Sequence, residues 1–253
     1  MPERLESICA ELAAQGLGVQ GVADGAPYQH LLEGCTSVLV FASGGTGLWE
    51  GFLADIRANP PAFSAAVHPL DEFVARLIRA ADPDPPPGRR WIRCAAEPEA
   101  FIDFRALGLA AGLGWRSHMG LLVHPRYGLW ISLRAALLLR EELPSAGPLQ
   151  GEGPCPGCSK PCMDACPGGA VGAEGWKAGA CADFHLRSSL CSDRCHSRLS
   201  CPEGAGHAYG SLQNHYHSAQ DTGRIMLARE LGVPPGLRVD PPPWKHWSPS
   251  DAD

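Results

Sequence analysis

Eight cysteines crowded between positions 155 and 201 constrain this chain more than any other feature. Cys155, Cys158, Cys162, Cys166, Cys181, Cys191, Cys195 and Cys201 share their stretch with so many glycines, prolines and polar residues that an ordinary apolar interior is not expected there. Something has to replace that core. The opening residues, Met1-Pro2-Glu3-Arg4-Leu5-Glu6, form no basic segment ahead of an apolar run and hold no twin arginine, so an export address is not expected. In the reducing, cytoplasmic setting this implies, clustered thiols point to metal and not to disulfides. The remaining three of the eleven cysteines, Cys9, Cys35 and Cys94, are scattered and are read as small buried apolar residues.

The first four of the cluster run Cys155-Pro156-Gly157-Cys158-Ser159-Lys160-Pro161-Cys162-Met163-Asp164-Ala165-Cys166-Pro167, a C-x2-C-x3-C-x3-C-P pattern. A cubane cluster needs several thiolates converging from one tightly wrapped loop and one from farther away. Short spacings with small intervening residues permit that wrap, and the closing proline turns the chain outward. The run departs by one residue, between Cys158 and Cys162, from the bacterial ferredoxin pattern C-x2-C-x2-C-x3-C-P. The second half, with Cys181, Cys191, Cys195 and Cys201, is looser and again ends in Cys-Pro. In two-cluster ferredoxins the cysteine of each Cys-Pro ligates the other cluster. Two [4Fe–4S] clusters are therefore expected, one on Cys155, Cys158, Cys162 and Cys201, the other on Cys166, Cys181, Cys191 and Cys195. Structural zinc in four-cysteine sets is the alternative. His185, His196, His207, His215 and His217 also gather here and are read mostly as surface groups or as supports of the ligands.

The rest of the chain reads as mixed helix and strand. Leu5, Ile8, Cys9 and Leu12 repeat at helical spacing over residues 2–14, and Leu70, Phe73, Val74, Leu77 and Ile78 mark a second amphipathic helix that ends before Pro83. Residues 37–42 form a short apolar run of strand formers leading into the glycine-rich residues 43–47, which are read as a tight turn. Residues 91–94 predict a strand and 101–111 a helix. Residues 119–123 and 129–133 predict two strands joined hairpin-fashion by His124-Pro125-Arg126-Tyr127-Gly128. A final helix is expected over 218–231, followed by a proline-rich tail. This divides the chain into 1–150, a cofactor-binding domain of α/β type; 151–215, a ferredoxin-like iron–sulfur domain; and 216–253, a C-terminal helix and tail. The fold class is α+β overall. A net charge of −6 over 253 residues supplies no field for nucleic-acid phosphates, so tRNA is not an expected partner. The longest uncharged apolar-leaning run, residues 34–49, holds four glycines and is too short for a membrane crossing.

Two stretches together resemble a known family. Gly112-Leu113-Gly114-Trp115 followed by Leu121-Leu122-Val123-His124-Pro125-Arg126-Tyr127-Gly128-Leu129-Trp130 is similar to a segment of the epoxyqueuosine reductases, and the eight-cysteine region resembles the two-cluster module that follows it there and in the related reductive dehalogenases. The resemblance covers residues 90–205. It implies a nitroreductase-like, cobalamin-binding fold in which the clusters pass electrons singly to a corrin, held by Gly112, Gly114, Trp115, His124, Tyr127, Gly128 and Trp130. It further implies a protonated side chain, with Glu97, Asp103 and His118 as candidates, a small-molecule substrate, and an electron donor such as a ferredoxin or flavodoxin. The family's helical-repeat extension is not found after Cys201. The alternatives are an electron-transfer module without a reaction of its own and a cobalamin-handling protein.

Overall fold

The computed structural model describes residues 2–94 and 101–236. Its centre is a four-stranded sheet in the order β1 (Val19–Asp24), β2 (Ser37–Gly44), β6 (Ile131–Leu139), β3 (Arg89–Arg93). Every pairing is antiparallel, so the arrangement is α+β, and the alternation of helices and strands along the chain does not produce the parallel sheet of an α/β layer. β2 is buried along nearly its whole length because helices cover both faces. Leu39, Phe41, Leu137 and Leu139 point into one apolar cluster, and Val38, Val40, Ala136 and Leu138 into another, as the two-residue period of a strand requires. A bulge between Phe41 and Ala42 shifts the β2–β6 register.

The first face carries α1 (Glu3–Ala14), α2 (Gly47–Ala58), α3 (Pro60–Ala65), α4 (Pro69–Ala81) and residues of α9 (Ser211–Ser218) and α10 (Gln220–Leu231). α4 forms because Pro69 occupies its first turn, Asp71 and Glu72 follow it at the positive end, and Arg79 sits in the last turn. Its apolar stripe of Leu70, Phe73, Val74 and Ile78 is buried. On the other face lies the short α5 (Phe104–Ala110), with Phe104 and Leu107 inside. Cys9 and Cys35 are core residues as expected, whereas Cys94 is exposed at the end of β3.

The hairpin expected between residues 119–123 and 129–133 is not formed. β5 (Leu122–Val123) pairs instead with β4 (Trp115–Arg116), and the second segment is the start of the long central β6. Only a single bridge, His124 to Gly128, closes the turn between them. The cysteine-rich part holds short elements: α6 (Pro161–Asp164), the β7 (Val171–Gly172) and β8 (Gly175–Trp176) pair, α7 (Ala178–Arg187) and α8 (His196–Leu199). It packs onto the rest through Met119, Val123 and Leu129, with Cys155, Cys162, Cys166 and Cys201 against that small apolar cluster. Of the expected tail only residues 234–236 are described, Pro234 O accepting from Ser64 and Pro235 O from Arg224. The rest lies outside the described residues, and among those described no helix is long and apolar enough to cross a membrane.

Candidate metal centre

The eight clustered cysteines sort into two sets of four. Cys155, Cys158, Cys162 and Cys201 line one void of about 20 Å³. Cys166, Cys181, Cys191 and Cys195 line a second, of about 480 Å³. α6 and α8 produce this sorting. They pack against each other, and each carries one cysteine near its start and one just beyond its end. Cys162 in α6 faces the first void while Cys166, past its end, lines the second. Cys195 caps α8 beside the second void while Cys201, past its end, lines the first. Ahead of α6 the chain turns through Lys160, which takes left-handed backbone angles (φ 60°), and Pro161 then starts the helix. That turn takes up the extra residue between Cys158 and Cys162.

The electrostatics divide in the same way. Burial, then the thiols of Cys155 and Cys158, push Cys162 up from the ordinary thiol range. Burial also raises Cys201, against a hydrogen bond from the Glu203 backbone, with Cys162, Cys155 and Cys158 adding to the rise. In the other set, burial followed by Cys195 and Cys166 raises both Cys181 and Cys191, although the Trp176 indole N–H opposes it at Cys181. Cys166 is the exception. Burial would raise it, but hydrogen bonds from the backbone of Ala170, Val171 and Gly168 and from the Ser197 hydroxyl outweigh burial and bring it below the usual range. Ala170 N–H donates to Cys166 Sγ at 3.2 Å and Lys160 N–H to Cys158 Sγ at 3.3 Å. Four thiolates held around one space repel one another, and a cationic group within that space relieves the repulsion.

The donor set fits a polynuclear group. Four thiolates around a single zinc at about 2.3 Å would crowd onto one point; a [4Fe–4S] cube takes its four cysteines at separate corners and so is ringed by them. Among the described residues no group of three His, Cys, Asp or Glu side chains is arranged to hold one metal ion. N–H···S hydrogen bonds of the kind made to Cys158 and Cys166 are also the contacts that tune cluster potentials.

The segment expected to hold a corrin is largely occupied by the protein itself. A Cβ on Gly112 would lie 2.6 Å from Gly147 O, and one on Gly114 2.7 Å from Val123 O. Gly128 (φ +53°) abuts Glu203 O, and Gly204 (φ +69°) abuts Tyr127 O in return, so two turns interlock glycine against glycine just after Cys201-Pro202. Trp115 packs on Gly153 and its indole N–H donates to Gln150 O. His124 Nδ1 accepts from the backbone N–H groups of Arg126 and Tyr127, and Tyr127 lies edge-on to His207 at 4.8 Å. Trp130 is buried, with the Arg198 guanidinium over its ring. Among the described residues these contacts fill the space against Gly112, Gly114 and Gly128.

Of the expected proton donors, Glu97 lies outside the described residues. Asp103 caps α5, its Oδ1 accepting from the N–H groups of Arg105 and Ala106. His118 lines the first void beside Lys160 and Glu203. Three of the five histidines, His185, His196 and His217, border the second void instead of lying apart from it. His217 was not distinguishable from its neighbours by sequence. Burial, then Arg134 and Arg198, lower it to about 3, and its Nε2 has no partner. Arg198 is likewise visible only in three dimensions: its guanidinium lies over both Trp130 (4.4 Å) and Tyr209 (4.7 Å), whose rings touch each other, and it donates twice to Leu129 O.

Neither a family model nor a curated protein matches the sequence. Solved structures do match. An epoxyqueuosine reductase from Bacillus subtilis superimposes with a TM-score of 0.50 at 15% identity, over 80% of this chain and 66% of that one. The fold is shared with epoxyqueuosine reductases. It is shared also with the B12-trafficking protein CblC of C. elegans, at a TM-score of 0.56 and 12% identity, over 90% of this chain and 97% of that one. At these identities the likeness establishes fold alone, and this chain spans about two-thirds of the Bacillus reductase. A further epoxyqueuosine reductase, TM-score 0.51 and 15% identity over 91% of this chain and 69% of that one, was solved with an epoxyqueuosine-modified tRNA-Tyr stem loop.

Proposed function

We propose that this protein is an iron–sulfur oxidoreductase that carries electrons one at a time through two [4Fe–4S] clusters to an organic acceptor. One cluster is held by Cys155, Cys158, Cys162 and Cys201, the other by Cys166, Cys181, Cys191 and Cys195. The observation that carries the reading is the sorting of eight cysteines into two rings with none shared. Cys162 and Cys166, four residues apart across one short helix, bring the two rings together. Electrons delivered at one ring by a small redox protein therefore have a short path to the other. The chain's own part is to hold the thiolates, donate N–H···S hydrogen bonds and exclude water, while the clusters supply the one-electron chemistry.

A corrin-handling role is the second reading, favoured by the likeness to nearly the whole of CblC. When bound, a corrin would supply a cobalt centre that takes electrons singly. Anaerobic purification followed by iron and sulfide analysis tests the first reading. About eight of each per chain, with two interacting paramagnetic centres on reduction, are expected; about four, or zinc in their place, would overturn it. Incubation of the same protein with cobalamin tests the second. Co-elution and an altered corrin spectrum support corrin handling, and an unchanged spectrum without co-elution removes it.

A further inference from the structure

The two cysteine rings are alike in ligand number but not in the space they enclose: about 20 Å³ for the first and about 480 Å³ for the second. The second void reaches past its four cysteines to Arg105, Leu121, Phe184 and His217, and its volume is of the size that takes an organic ligand beside a cluster. The walls of that space are distinctive. They combine apolar surface (Leu121, Trp176, Phe184) with cationic and imidazole groups, and among the described residues no aspartate or glutamate lines the void. Arg105 stands at this wall with its guanidinium near Gly120 and Trp176, loosely paired with Asp103 at 3.8 Å. Deeper in, His217 is neutral and its Nε2 unpartnered, a costly state for a buried polar atom unless something answers it. Arg198, which also lines the void, lies over the rings of Trp130 and Tyr209, and Tyr209 stands against His217 at a ring distance of 5.4 Å. An unpartnered imidazole nitrogen and the positive charge of Arg105 and Arg198 beside an apolar wall match an acceptor-rich, negatively charged head on an apolar body.

We propose that the void beside Cys166, Cys181, Cys191 and Cys195 is a binding site for a small organic anion, a carboxylate on a flat apolar body, seated directly against the second cluster with Arg105 at its charged end. The site rests on the two-cluster reading, because its inner wall is the second cluster held by Cys166, Cys181, Cys191 and Cys195. The closing experiment keeps the two apart. Anaerobic holo-protein is first assayed for iron, which reports on the clusters alone. It is then titrated calorimetrically with 2-naphthoate and, separately, with its neutral analogue 2-naphthamide, while the electron paramagnetic resonance spectrum of the reduced clusters is recorded.

Saturable binding of the acid, at least several-fold tighter than the amide and accompanied by a change in one cluster's spectrum, is the expected result. Arg105→Gln should weaken the acid about 3- to 10-fold and leave the amide unchanged. Leu121→Trp, which fills the void from its wall, should abolish binding while iron stays at the wild-type level. Equal affinity for acid and amide, binding that survives Leu121→Trp, or no binding at concentrations on the order of 1 mM to fully loaded protein would each overturn the site. An iron content of about four would instead overturn the two-cluster reading.

Discussion

Replacing Gly128 by alanine tests whether the cysteine-rich part is locked to the sheet by the glycine interlock. Gly128 sits at φ +53°, and a Cβ there would lie 1.9 Å from Glu203 O; at Gly204, φ +69°, a Cβ would lie 2.2 Å from Tyr127 O. The left-handed backbone alone costs an alanine about 1–2 kcal/mol. Because the clash is with main chain on both sides, no side chain is free to swing away, and the two turns must part. Parting them also strains the Tyr127–His207 contact and the entry to Cys201. A total of about 3–4 kcal/mol follows, a loss of roughly 6–15 °C in Tm for a chain of this size. Guanidinium unfolding of anaerobic protein, followed by tryptophan fluorescence and by visible absorption, measures it. Gly206→Ala is the control, since a Cβ there meets nothing within 4 Å, and it should cost no more than about 0.5 kcal/mol. The double variant Gly128→Ala/Gly204→Ala should cost clearly less than the sum of its singles, because either one already opens the same contact. A Gly128→Ala loss under about 1 kcal/mol, or a Gly206→Ala loss as large, would refute the interlock.

Cys158→Ala and Cys191→Ala should each remove one cluster and leave the other, lowering iron from about eight to about four with different residual resonance spectra; identical residual spectra would count against the sorting. Asp103→Ala should cost about 1 kcal/mol through loss of the α5 cap, and a reduction rate unchanged at fixed temperature would assign Asp103 to folding and not to proton delivery. His217, held at about 3 in the folded protein against an ordinary 6.5, binds a proton only on unfolding between those values. Its contribution is therefore intact above pH 6.5 and falls as pH drops toward 3. The step from pH 6.5 to 5.5 should destabilise wild type by about 1 kcal/mol more than His217→Gln, measured by parallel denaturant titrations. Arg198→Met should cost about 1.5–3 kcal/mol, since it deletes both hydrogen bonds to Leu129 O and the stacking on Trp130; unfolding midpoints within error of wild type would show these contacts to be incidental.

Local pattern alone was enough for α1 and α4, whose apolar residues recur at helical spacing, for the strand at residues 37–42, and for most of α10. The same is true of the cysteine spacings, because a loop must fold tightly to bring Cys155, Cys158 and Cys162 within reach of one another, and short spacing is a property of the chain itself. Other elements were not legible. α2 is concealed by glycines at 44, 45, 47 and 51, and residues 133–139 are apolar enough to read as helix or strand. Only pairing with β2 and β3, far away along the chain, makes them the central strand. Parallel or antiparallel order, likewise, is set by where strands meet and not by their composition.

What the linear order of residues determined here is the chemistry available: thiolates in the right number, grouped closely, between two Cys-Pro endings. What the tertiary structure decided is how those thiolates are shared and what stands beside them. α6 and α8 pack so that each sends one cysteine to each ring, and α9 places His217 on the wall of the second void with Arg134 of β6 and Arg198 near it. Spacing governs only groups that are neighbours along the chain. The empty volume next to a ring and the charges around it arise from segments that meet only once the hydrophobic faces of the sheet are covered.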